Sequence, residues 1–88
     1  MKQHIYKVKD IESVEAMQLT DINSVKEIEK WVKSINPDIC VKIYERCIGL
    51  EFVNGALYLR IGDYVFLKGN KFNVWRKRSF ESKYKINR

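Results

Sequence analysis

Arg76, Lys77 and Arg78 stand in a row beside Trp75 and a short way past Lys71, the one grouping in the chain whose residue types suggest chemistry. That chemistry is recognition of an anion. Lys and Arg displace counterions from phosphates, and an aromatic ring stacks on an unpaired base for ~1–3 kcal/mol. Trp, Tyr and Arg are equally the anchors of protein–protein interfaces. On a strand through residues 71–76, Lys71, Asn73 and Trp75 share one face while Phe72, Val74 and Arg76 share the other. With Phe72 and Val74 turned into a core, Lys71 and Trp75 point outward together. Tyr58, Tyr64, Phe66, Phe72 and Tyr84 have two competing uses, stacking outside or filling the core of a small domain.

The charge of that region is not shared by the rest of the chain. Residues 60–88 hold nine Lys/Arg against two acids, Asp63 and Glu81, whereas residues 1–59 hold eight against nine, so the formal +6 belongs almost wholly to the C-terminal third. Such a segment attracts nucleic acid, an acidic protein face or a membrane surface. Other chemistries find no support in the spacing of residues. His4 is the sole histidine, and together with Cys40 and Cys47 it matches no zinc pattern, so neither metal nor cofactor is expected. Cys40 and Cys47 lie seven positions apart in a stretch that reads as strand; an odd separation places them on opposite faces and argues against a bridge. Gly55, Gly62 and Gly69 are too dispersed to cradle a phosphate. Glu27 and Glu29 sit about 200° apart around a helix axis instead of converging in a cleft. No enzymatic activity is expected.

A single domain, residues 1–88, must position these groups. Apolar residues make up 45% of the chain and charged residues 32%, ordinary proportions for a soluble globular protein. The longest apolar runs, such as Tyr64-Val65-Phe66-Leu67, fall far short of the roughly 20 residues of a spanning helix, so no membrane partner is expected. The N-terminus lacks the apolar centre of a secretory signal, which makes the cytoplasm the expected compartment. Residues 5–8 and 13–20 read as extended. Val25, Ile28, Val32 and Ile35, with Trp31 beside them, fall at helical spacing. Ser24 and Glu27 fit a capping box at the start of that helix, and Asn36-Pro37 ends it. Beyond Pro37 the period changes to two: Ile39, Val41 and Ile43 alternate with Cys40, Lys42 and Tyr44. Residues 50–53 and 56–59 form a hairpin across Asn54-Gly55, a type I′ signal. Residues 64–68 and 71–75 form another across Gly69-Asn70, and residues 80–86 alternate as a closing strand. The sum is an α+β fold, one helix on a mostly antiparallel, hairpin-rich sheet of about five strands. Whether that sheet stays open or curls towards a barrel is not fixed by periodicity.

Two stretches carry a resemblance. Val14-Glu15-Ala16-Met17-Gln18-Leu19-Thr20 resembles the opening strand motif of a widespread group of small bacteriophage proteins, Val-Glu-Ala-(apolar)-Gln-Trp-Thr. Gly62-Asp63-Tyr64-Val65-Phe66-Leu67-Lys68-Gly69, then Lys71-Phe72, then Phe80-Glu81-Ser82-Lys83-Tyr84, is similar to the C-terminal signature of that group, with the aromatic spacing kept. Ile61 stands where the group has proline and Leu19 where it has tryptophan. Arg76-Lys77-Arg78 replaces a segment that there contains proline and cysteine. The group carries no assigned enzymatic activity. The resemblance implies a phage or prophage accessory protein acting in the host bacterial cytoplasm. Such a protein would bind a host or defence protein, for example as an anti-defence inhibitor such as an anti-CRISPR. The alternative is direct binding of nucleic acid through the same residues, Lys71, Trp75, Arg76, Lys77 and Arg78. The oligomeric state is left open.

Overall fold

The computed structural model describes the backbone of residues 4–8 and 13–86 and the side chains of residues 14–84. Two strands, β1 (His4–Val8) and β2 (Ser13–Gln18), lead into helix α1 (Ile22–Ile35). Three strands follow, β3 (Cys40–Ile43), β4 (Cys47–Phe52) and β5 (Gly55–Arg60). Then come β6 (Tyr64–Lys68), β7 (Lys71–Trp75), a short helix α2 (Lys77–Lys83) and β8 (Tyr84–Ile86). All ladders are antiparallel. The strands make a five-stranded sheet in the order β7-β6-β2-β1-β8 and a three-stranded sheet in the order β3-β4-β5. The fold is therefore α+β and antiparallel as expected, with the strands divided between two sheets. Strand β5 runs beside β7, yet no ladder joins them, so the sheets do not close into a barrel.

Both faces of the five-stranded sheet are covered, which explains the continuous apolar run in β6, where Tyr64, Val65 and Phe66 are all buried. On one face Met17 and Val65 pack with Val25, Ile28, Trp31 and Val32 of α1 and with Ile48, Leu50 and Leu59 of the smaller sheet. On the other, Val14, Ala16, Tyr64 and Phe66 pack with Phe80 of α2 and with Tyr84. Phe80 stacks between Tyr64, at 4.3 Å between ring centroids, and Tyr84, at 4.7 Å. Chain topology requires this layer: β7 and β8 are the opposite edges of the sheet, and α2 carries the chain across between them.

Helix α2 corrects the strand expected over residues 80–86, of which only Tyr84–Ile86 is extended. Phe80 and Tyr84 are four apart, an even spacing that aligns them in a strand and, at 3.6 residues per turn, in a helix as well. The cap of α1 also differs. Asp21 is the N-cap and Ser24 stands at the third helical position: the Asp21 carboxylate accepts the Ser24 amide at 3.0 Å, and Ser24 Oγ accepts the Asp21 amide at 3.0 Å. The added turn carries exposed Ile22 outside the core, so apolar spacing alone begins at Val25. At the other end Ile35 is 40% exposed and not part of the core. The helix does stop at Asn36, and Lys33 pairs with Glu29 at 3.3 Å.

Strand β3 ends at Ile43, which is exposed, and Cys47 opens the next strand. Cys40 and Cys47 thus lie on different strands, opposite Glu51 and Arg60 respectively, and both are free thiols. In the β4–β5 hairpin Phe52 pairs with Gly55, so the turn is centred on Val53-Asn54, one residue before Asn54-Gly55, and neither Asn54 nor Gly55 has a positive φ. This register sets Gly49 opposite Tyr58, where a Cβ would come within 3.2 Å of Tyr58 and 3.1 Å of Tyr44. Gly69 and Asn70, at φ of 58° and 64°, form the two-residue type I′ turn between β6 and β7.

Candidate functional site

Asp63 organises the end of the molecule where the basic residues gather. Strand β5 turns into β6 through Gly62, whose φ of +98° favours glycine. The turn is tied to the end of β2: Gly62 N–H donates to the Leu19 carbonyl at 2.7 Å, and Leu19 N–H to the Asp63 carbonyl at 2.9 Å. Asp63 is buried, and its Oδ2 accepts the Arg60 amide at 2.9 Å and Arg76 Nη1 at 3.4 Å. A buried carboxylate needs such partners. The guanidinium of Arg76 remains largely exposed, so its head is held in place at the surface.

From that clamp the chain enters α2. Arg76 is the N-cap residue and makes no side-chain cap; Lys77 and Arg78 are exposed in the first turn, which holds no acid. Cations at a helix N-terminus carry the wrong sign for the helix dipole. Trp75 sits alongside, half-buried, edge-on to Phe66 at 5.2 Å, with Lys83 Nζ 5.4 Å from the centre of its own ring. A shallow hollow is lined by Val74, Trp75, Arg76 and Ser79. The structure thus brings Trp75, Arg76, Lys77 and Arg78 together and adds Lys83, which spacing did not single out. Lys71 does not join them. It lies at the other end of β7, about 14 Å away by strand rise.

Face alternation assigned β7 correctly, since Phe72 and Val74 pack against the main core. The face carrying Trp75 is nevertheless not open to solvent, because α2 covers it. Trp75 offers little ring face for stacking. Tyr64, Phe66 and Tyr84 are buried too, and Phe72 is half-buried against Trp31. Among the candidate aromatics only Tyr58 is well exposed, at 56%.

Tyr58 belongs to an aromatic pair on the outer face of the smaller sheet. Its ring lies 6.3 Å from that of Tyr44 across Gly49. Glu51 binds Tyr44 Oη at 3.2 Å and Lys42 Nζ at 3.5 Å. Loss of water around the Tyr44 phenol, then its hydrogen bond to Glu51, raise its pKa above the ordinary value; the charge of Glu51, then the hydrogen bond, raise that of Lys42. The sequence signal was Gly49 itself, since a glycine inside a strand marks close approach of other groups.

Among the described residues no three His, Cys, Asp or Glu side chains are grouped to hold a metal ion. No described helix is long and apolar enough to cross a membrane. In comparison with known proteins, the chain matches no family model, no curated protein and no solved structure.

Proposed function

We propose that the chain is a non-enzymatic binding protein of phage type whose α2 surface docks on an acidic face of a host or defence protein. An anti-defence inhibitor such as an anti-CRISPR is one form of that role, and the host cytoplasm is its setting. The observation that carries the proposal is the exposed row of Arg76, Lys77 and Arg78, with no acid in the first turn of α2 to offset it. Three cations at the start of a helix weaken it. Arg76 is used by Asp63, but Lys77 and Arg78 carry that cost without a structural return, which points to use by a partner. Protein is favoured over nucleic acid because the ring of Trp75 is taken up by Phe66 and Lys83, leaving charge without a stacking surface.

The test uses the tagged wild-type chain beside the Lys77→Glu/Arg78→Glu double variant. Each is applied to host bacterial lysate and, separately, to single- and double-stranded DNA and RNA at low salt. A stoichiometric protein retained by the wild type and lost by the variant, whose melting temperature is no lower than that of the wild type, is expected. Retardation of nucleic acid, with a salt slope reduced by roughly 2 in the variant, would transfer the surface to that ligand. Absence of both results sinks the proposal.

A further inference from the structure

At the end of β7 away from Arg76 a cleft opens between the two sheets. The cleft between them has a volume of about 590 Å³ and is walled by Ile35, Phe52, Leu57 and Phe72. Pockets of ~300–1,000 Å³ are the size that holds ligands. Lys71 is the one charged residue in the lining, is exposed, and makes no ion pair with the described residues. Asn36, Asn54 and Asn70 supply amide groups at the rim.

Strand register adds a second, independent observation. Residue pairs along an antiparallel ladder alternate between hydrogen-bonded and non-bonded. The Lys68–Lys71 pair closes the β6–β7 hairpin, so Lys71, Asn73 and Trp75 bond to β6, while Phe72 and Val74 turn their N–H and C=O groups to the free side. Phe52–Gly55 closes the β4–β5 hairpin, which leaves Ala56, Tyr58 and Arg60 facing the free side of β5. Arg60 agrees with this, since its amide donates to Asp63. The outward groups of Phe72, Val74, Ala56 and Tyr58 have no backbone partner across that edge among the described residues.

We propose that this cleft takes an extended peptide of a partner protein. The peptide adds to a free strand edge, sets one apolar side chain between Phe52, Leu57 and Phe72, and places a carboxylate on Lys71. Free edges select main chain, as in strand addition. The apolar walls select an alternate side chain, and the lone cation selects an acid. This site is separate from the α2 surface and does not depend on it.

A displayed library of random octapeptides, selected on the full chain, tests the assignment. Enriched sequences are expected to alternate apolar residues and to share one acidic position. Their affinity, read by fluorescence anisotropy, should fall at least roughly tenfold with Lys71→Glu and with N-methylation of alternate peptide amides. Lys77→Glu/Arg78→Glu should leave it unchanged. Lys71 is exposed, so its variant should keep the wild-type melt; the N-methylated peptides decide on the wild-type protein alone if it does not. No enriched peptide, or affinity that survives both changes, would overturn the proposal. So would Lys71-dependent self-association without peptide, which would give the cleft to a second copy.

Discussion

Asp63 and Glu51 are the two acids whose removal tells most. Asp63 accepts an amide and a guanidinium while buried, so Asp63→Ala should cost about 2–3 kcal/mol. Arg76→Ala, removing a largely exposed partner, should cost about 1 kcal/mol, and urea melts would measure both. Glu51 acts on two neighbours. Its charge holds the pKa of Lys42 up, and, after loss of water around the phenol, its hydrogen bond holds up that of Tyr44, so the folded state favours their protonated forms. The stability they contribute is present below their unfolded values, about 10, and is lost as pH rises through the raised folded values. Glu51→Gln should move the alkaline midpoint of Tyr44, read by phenolate absorbance, downward; a midpoint that stays in place would reject the coupling. Lys42, for which Glu51 is the first cause, should respond more fully than Tyr44. Neither acid was legible as a hub. Asp63 and Arg76 are thirteen positions apart, and no pattern of spacing joins a turn to the end of a strand two elements later.

Elements were legible where one period dominated. The Gly69-Asn70 turn bounded the apolar run of β6, helical spacing located α1, and alternation placed the faces of β7, because the apolar residues of α1 and β7 face a core that imposes the period. Alternation failed over residues 77–83, where the single buried anchor Phe80 fixes no period of its own. The Asn54-Gly55 signal was overridden by tertiary contact, since the register also had to seat Tyr58 on Gly49. Three substitutions test these elements. Phe80→Ala should cost about 3–5 kcal/mol in chemical denaturation, because the ring is fully buried between two others. Asp21→Ala should cost about 1 kcal/mol, and Ser24→Ala, which leaves the Thr20 and Asp21 amides without their acceptor, a comparable amount. Absence of a loss at Asp21 would contradict its assignment as the cap.

For the whole molecule, the two cores are opposite faces of one sheet and should not unfold separately. Trp31 reports the α1 face and Trp75 the α2 face, so Trp31→Phe and Trp75→Phe provide one fluorescent probe for each. Within each variant, its fluorescence and circular dichroism transitions should coincide, as two-state unfolding requires. A split transition would show that α2 detaches first. The binding surfaces follow from this architecture in different ways. The basic row was visible in the sequence because charge is a local property. The peptide cleft was not, because it is made by two strand edges that no ladder joins, and its walls come from three distant segments.

Strand β8 lies against β1, with Tyr6 opposite Ile86, eighty positions apart. Loops that long close slowly, and sheets built on remote pairings fold in milliseconds to seconds. During ribosomal synthesis the hairpins β4–β5 and β6–β7 can form as they emerge, but β1 must wait until all the elements up to β8 have been made before its second neighbour exists. Until then β1 has one unpaired edge, and the α2 strap cannot cover the aromatic face of the sheet. The nascent chain therefore passes through an interval in which Tyr64 and Phe66 are open to chaperones or to like chains, and its yield in the cell should depend on the speed of that last closure.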